Sequence, residues 1–239
     1  MTLSLLLLMS TAVLADKKNN DSDDPPPQTR GTSGGSRGCE TQTEASLSSI
    51  PDIILLAPNQ SYGQSLVNNP TFAWYVKNTS SVQMEFRLYE YDKTNKQSRL
   101  VKEIKDETFK SSPGIMVLSM PSLELSVGRR YLWQVELVCD ANRPSGNPFA
   151  IAAMKVVSTP PHLKKQISQN NDVLIKANLY NQADLWYDTL KIALISKDEP
   201  TIRELKKSLL EQVATGTKPE LREKTKLALI NSKIHQLQR

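Results

Sequence analysis

Reactive side chains are scarce in this sequence. It has two histidines, His162 and His235, 73 positions apart, and two cysteines, Cys39 and Cys139. No Cys-x-x-Cys, His-Glu-x-x-His or Gly-x-Ser-x-Gly occurs. A dithiol centre, the common zinc sites and the usual activated serine are therefore without a signature. Glycine is sparse, nine in 239 residues. Gly31, Gly34 and Gly35 lie in a polar spacer and join no strand to a helix, which excludes a phosphate-cradling loop. No apolar run reaches the ~20 residues needed to cross a bilayer, so no integral membrane span is expected. On this inventory we assign no catalytic residue, no metal ligand and no cofactor, and the chain is not expected to be an enzyme.

Charge of one sign is scarce too, except at one end. The formal net charge is +5, and residues 160–239 hold 14 basic and 9 acidic side chains, which accounts for all of it. A basic face can meet anionic partners, but mixed charge of this kind also describes a solvated helical surface. A nucleic-acid partner is not expected, because the rest of the chain is neutral and the N-terminus reads as an export signal.

That signal is MTLSLLLLMSTAVLA, residues 1–15. Residues 3–13 match a signal-peptide hydrophobic region in length, and cleavage after Ala15 fits the small residues there. No Lys or Arg precedes the run. Residues 16–36 contain no large apolar side chain, so they cannot offset the entropy of ordering, and residues 16–49 read as a disordered linker. Asp21, Asp23 and Asp24 lack the Gly and distal Glu of a calcium loop. Asn20, Asn59 and Asn78 begin Asn-x-Ser sequons. The expected location is periplasmic or secreted.

From residue 50 to 158 the pattern is that of short strands separated by turn signals. Runs at 52–57, 72–76, 84–91, 99–109, 115–120, 130–139 and 149–157 make seven strands. The count and alternation predict an antiparallel immunoglobulin- or fibronectin-like β-sandwich. Tyr131, Trp133, Val135, Leu137 and Cys139 alternate, which puts them on one buried face. Tyr131 follows a Gly turn and is placed to form a tyrosine corner. Trp74 and Trp133 read as core residues. Tyr89 and Tyr91, on the opposite face of their strand, are the aromatic candidates for a binding platform.

Two cysteines in an exported chain predict a disulfide between Cys39 and Cys139, against the alternative of two free core thiols. It would close a loop of about 100 residues, worth roughly 4–5 kcal/mol in the chain-entropy model. The loop after Cys139 holds Asp140 and Arg143 at one end of the sandwich, where such folds carry binding loops. These two residues are the candidate binding edge; the alternative is an Asp–Arg pair that pins the loop.

Beyond Pro160-Pro161, read as a linker, the periodicity becomes helical, so the class is all-β followed by all-α. Four helices are expected in residues 159–239. Val173, Leu174, Ala177 and Leu179 mark the first. Trp186, Leu190 and Ala193 mark the second, with Asp184 as N-cap. Ile202, Leu205, Leu209 and Val213 mark the third. The fourth runs from Pro219 through Leu227, Ile230, Ile234 and Leu237, and its amphipathic face is a candidate partner surface. Hairpins of this length look like a tetratricopeptide unit.

Several segments occur in a telling order: Arg37-Gly38-Cys39, Asn69-Pro70-Thr71-Phe72-Ala73-Trp74-Tyr75-Val76 and Ser112-Pro113-Gly114-Ile115. Val127-Gly128-Arg129-Arg130-Tyr131, Leu137-Val138-Cys139-Asp140 and Leu185-Trp186-Tyr187-Asp188-Thr189-Leu190 follow. This series, over residues 37 to about 213, resembles the cyanobacterial proteins grouped as domain of unknown function 928. The resemblance implies an exported bacterial protein with a signal peptide, a sandwich and a short helical tail, and it implies no particular activity. The leading expectation is an exported binding or scaffold module of the cell envelope, with a protein or an envelope polysaccharide as partner. The alternative is a glycan-processing hydrolase drawing on scattered acids such as Glu85, Glu103 and Asp140, which would need a pair about 5–10 Å apart. Oligomeric state is not legible.

Overall fold

The computed structural model describes residues 31, 32, 39, 50–59, 61–77 and 80–239. The expected signal peptide, nearly all of the linker and the sequons at Asn20 and Asn78 lie outside the described residues. The described chain forms two mixed β-sheets and five helices, arranged like a sandwich.

The first sheet has the order β1 (Ile53–Leu55), β3 (Phe72–Val76), β6 (Gly114–Ser119), β9 (Ile234–Gln238). The second has the order β2 (Gly63–Ser65), β8 (Phe149–Val156), β7 (Arg130–Leu137), β4 (Met84–Asp92), β5 (Gln97–Ile104). Both sheets were expected to be antiparallel. Instead β2 runs parallel to β8, and β9 runs parallel to β6. Both exceptions involve strands that the alternation did not reveal. β2 has three residues, too few for a period to show. β9 contains Ile234 and Leu237, whose spacing of three is that of a helix face and puts them on opposite faces of a strand.

The expected fourth helix is therefore corrected. A 3-10 turn at Pro219–Leu221 leads into α5 (Arg222–Ile230), which stops at Asn231. The chain then enters the first sheet, and Ile115 N–H donates to Lys233 O at 2.8 Å. Gly114 makes this possible: its φ is 121°, and a Cβ there would sit 2.5 Å from Lys233 O. The fourth strand of the expected set, 99–109, also ends early, at Ile104, because Asp106 accepts the Thr108 N–H and turns the chain.

The first three strands of the first sheet are buried along almost their whole length, and read accordingly as continuous apolar runs. β4 and β7 alternate buried and half-buried residues, so the second sheet has one face in the core and one toward solvent. Between the sheets lies an aromatic cluster. Phe72 is 5.0 Å from Phe86 and 5.2 Å from Trp133, and Trp74 stacks on Phe86 at 6.4 Å. Trp74 and Trp133 are both fully buried. The Tyr131 hydroxyl accepts the Ser126 N–H at 2.9 Å, tying the start of β7 to the turn before it.

Pro161 opens a helix rather than a linker: α1 is Pro161–Gln169, followed by α2 (Val173–Gln182), α3 (Trp186–Ile195) and α4 (Pro200–Ala214). Asp172 caps α2 by accepting the Leu174 N–H at 2.7 Å. Asp184 caps nothing: it sits at φ 57°, a left-handed position that Asp tolerates, and Leu185 is the N-cap of α3. The helices share one continuous core with the sheets, through Trp186, Tyr187 and Leu190 of α3, Leu209 and Val213 of α4, and Leu229 of α5.

α3 makes the join. Trp186 Nε1–H donates to Leu56 O at 2.9 Å, the Tyr187 hydroxyl accepts from Trp133 Nε1–H at 2.7 Å, and Asp188 Oδ2 accepts the Leu66 N–H at 2.8 Å. Gly63 leaves room for the Tyr187 ring, which a Cβ would meet at 2.6 Å. Burial pushes the Asp188 carboxyl up from 3.8 to about 6, against hydrogen bonds that pull it down. Between those values the folded chain binds more protons than the unfolded one, so stability falls as pH rises from about 4 to about 6. A shift of about two pH units corresponds to at most about 3 kcal/mol. Asp188→Asn keeps an acceptor for Leu66 and cannot ionise. The urea midpoint of the parent minus that of the variant should fall as pH rises across this range.

Candidate functional site

The outward face of the second sheet is the one sheet surface that the alternation leaves open. Its residues stand in cross-strand rows set by the register. Lys155, Arg130, Tyr91 and Ser98 form one row, and Ala153, Leu132, Tyr89 and Leu100 the next. Ile151, Gln134, Arg87 and Glu103 form a third; Phe149, Glu136 and Glu85 form the last, beside the loop that follows Cys139.

Glu85 and Glu136 are direct cross-strand neighbours, an arrangement that repels unless a cation intervenes. Arg87 is that cation. Its guanidinium bonds Glu85, Glu103 at 3.1 Å and Glu136 at 3.1 Å. Burial alone would lower the Arg87 pKa, but the bonds to Glu103 and Glu136 and the charge on Glu85 outweigh it and raise the value. Lys105 reaches Glu103 at 3.1 Å, and Lys105 and then Arg87 hold the Glu103 carboxyl below its usual range.

The loop is fastened to this cluster through Asn147, which is nearly buried. Its Oδ1 accepts the N–H groups of Cys139 and Asp140 at 3.0 and 3.1 Å, and its Nδ2 donates to Glu136 at 3.1 Å. Cys139 is joined to Cys39 by a disulfide with Cα atoms 4.9 Å apart. Sheet and loop together enclose a cleft of about 430 Å³, within the ~300–1,000 Å³ range of small-molecule sites. Gln83, Glu85, Arg87, Gln134, Glu136 and Asn147 supply its polar lining, and Val138, Ala141, Pro144 and Phe149 its apolar lining.

The residues singled out from the sequence are distributed around this cleft. Asp140 and Arg143 are exposed on its loop. The Asp140 carboxylate accepts the Asn142 N–H at 2.9 Å, and the Asp140 carbonyl accepts the Arg143 N–H at 3.1 Å. Tyr89 and Tyr91 share the outward face with Arg87 but stand toward the other end of β4, half-buried. Glu85 and Glu103 come together on Arg87, and Asp140 does not join them. Phe149, 43% exposed, is the aromatic that fronts the cleft. Its exposure was hidden because it opens the apolar run FAIAAMKV, which reads as wholly buried. Arg87, Gln134 and Glu136 were visible only as the polar members of alternating strands. Among the described residues no group of three or more His, Cys, Asp or Glu side chains is arranged to hold a metal ion. No helix among them is long and apolar enough to cross a membrane.

Removing Arg87 leaves three carboxylates facing one another at side-chain exposures of 13–27%. Arg87→Ala should cost about 1–3 kcal/mol at pH 7, discounted for partial solvent screening. The loss should shrink toward pH 4, as the carboxylates protonate, and shrink also in high salt. Urea midpoints at the two pH values and two salt concentrations measure this.

Comparison with solved structures finds only partial likeness. An LPMO from Kitasatospora papulosa aligns at TM-score 0.30 and 9% identity, over 44% of this chain and 55% of that one. A superoxide reductase (neelaredoxin) from Ignicoccus hospitalis aligns at 0.27 and 14%, over 43% and 81%. A lytic polysaccharide monooxygenase from Cellvibrio japonicus aligns at 0.27 and 12%, over 42% and 58%. The chain thus spans little more than half the length of these monooxygenases. A search of curated proteins finds no match. The family model described as Domain of Unknown Function (DUF928) matches residues 32–220, which is most of the sequence, and the chain belongs to that family.

Proposed function

We propose that the chain is an exported binding or scaffold module of the cell envelope that performs no catalysis. The observation that carries this is the state of the carboxylates at the cleft. Arg87 engages Glu85, Glu103 and Glu136 together, and the Glu103 carboxyl is held low. A glycosidase acid needs the opposite, a carboxyl kept protonated by its surroundings and set across from a second one. Asp140, the third acid of the hydrolase alternative, stands on the loop with its carboxylate turned to the Asn142 N–H. A cleft whose carboxylates are all engaged by one guanidinium is suited to holding a ligand and not to exchanging protons.

The Cys39–Cys139 bond supports an oxidising compartment, periplasmic or extracellular. An immunoglobulin-like sandwich, with recognition at its loop end, belongs to the same proposal and is supported by the Tyr131 hydroxyl bond. Its two parallel strand pairings are a departure from that pattern. A tetratricopeptide-like role for the helices has the weaker support, since their apolar faces pack into the shared core. The partner is a protein or an envelope polysaccharide.

Two measurements test the proposal. Intact mass of the chain taken from its native cell should show residues 1–15 removed and no thiol open to alkylation. An uncleaved chain with two reactive sulfhydryls would overturn export. For the binding role, Ala141→Trp should fill the cleft and abolish retention on native envelope material, with the urea midpoint little changed. Undiminished retention would move the binding surface elsewhere.

A further inference from the structure

We infer that the cleft beneath the 138–147 loop takes an uncharged pyranose oligosaccharide. This rests on the binding role proposed above and names the ligand class. The make-up of the lining carries this. Val138, Pro144 and Phe149 give apolar surface, and Phe149, 43% exposed, stands at one end of the cross-strand row Phe149, Glu136, Glu85. Gln83, Glu85 and Gln134 give polar groups, with Glu85 at the other end of that row. A pyranose ring combines the same two kinds of surface, with C–H groups on its faces and hydroxyls around its rim. Aromatic rings pack on the first, and planar amides and carboxylates bond adjacent hydroxyls.

The polar groups retain the capacity to do so. Gln83 donates to Lys105 O at 3.0 Å and Gln134 donates to Glu136 at 3.4 Å, so each keeps its carbonyl oxygen for an outside donor. Charge then narrows the class. The one cation among the lining residues, Arg87, is held by three carboxylates, so an anionic sugar would meet surplus negative charge there. The cleft is also open and polar, which suits a hydroxylated ligand better than an apolar one.

The test uses the full mature chain, isotopically labelled, and titrates it by NMR with cellohexaose, xylohexaose, mannohexaose and chitohexaose. Hexagalacturonate is the anionic control. At least one uncharged hexamer should shift the backbone amide signals of Gln134 and Phe149 and the Gln134 side-chain amide, and hexagalacturonate should not. Phe149→Ala should weaken that binding about tenfold or more with an unchanged urea midpoint. Gln134→Leu, which removes a polar lining group, should weaken it independently. Silence from every uncharged hexamer, equal binding of hexagalacturonate, or binding indifferent to both substitutions each overturns the inference.

A photo-crosslinking residue in place of Ala141, used in the native cell, separates this failure from failure of the binding role. A protein adduct with silent hexamers keeps the cleft as a binding site and replaces the sugar with a protein. No adduct and silent hexamers remove both.

Discussion

Three consecutive side chains of α3 hold the two halves of this molecule together. Trp186 reaches the carbonyl of Leu56, just past the first strand of the first sheet. Tyr187 reaches Trp133, in the middle of the second sheet, and Asp188 reaches the amide of Leu66, just past that sheet's edge strand. One turn of helix thereby ties both sheets and the short strand β2 into one body. The Trp186 and Tyr187 bonds are buried and the Asp188 bond partly so, and a lost partner in either buried bond would leave a polar group without water, at about 1–3 kcal/mol. Burial raises the Asp188 and Tyr187 pKa values for the same reason: both are kept from water, and their charged forms are disfavoured.

That docking makes the sandwich asymmetric. The first sheet is buried on both faces, and the returning chain covers the edge of β6 as β9. Its other edge, β1, takes a bridge from Thr32 to Ile54 and a bond from Leu55 N–H to Gly31 O. Among the described residues the second sheet keeps an outward face, and β5 is its last strand on one side. Arg99, Lys102 and Lys105 lie along that edge, and charge of this kind discourages strand-to-strand association. Among the described residues the edges at β1 and β6 are thus covered and the edge at β5 is charged, and the cleft lies on the outward face of the second sheet.

The parts of this fold that were legible in the sequence are those with a period. β4 and β7 alternate over eight or nine residues, and the stripe of Ile202, Leu209 and Val213 marks α4. What was not legible is short or ambiguous. β2 is fixed by its neighbours, α3 above all, and not by its own three residues. β9 has a spacing of apolar residues that points to a helix, and only Gly114, placed to admit Lys233, betrays where the strand lands. α1 was hidden behind Pro160-Pro161, although proline is at home in a first helical turn. Of the candidate site, the loop after Cys139 was marked as an expectation, and the Cys39–Cys139 disulfide is present. The chemistry beside the loop was not, because Arg87 and its three carboxylates come from three different strands, and only register brings them together.

The disulfide and Asn147 act on the same loop by different physics. Closing a loop with a sequence separation of 100 constrains chiefly the unfolded chain, by roughly 4–5 kcal/mol in the entropic model, and it does so wherever the crosslink lies. It does not by itself decide how the loop sits on the sheet. Asn147 does, because one amide, 6% exposed, takes two loop N–H groups and gives its own to Glu136. Glu136 is in turn held by Arg87. The rim of the cleft and its floor are therefore one hydrogen-bonded network, and a shift in either moves the other. In a sandwich this small, covalent closure supplies stability cheaply, while the position of a binding loop has to come from groups that are fully bonded in the folded state. That is why the buried polar residue of this loop is an amide, which can accept and donate at once, and not a carboxylate or an ammonium.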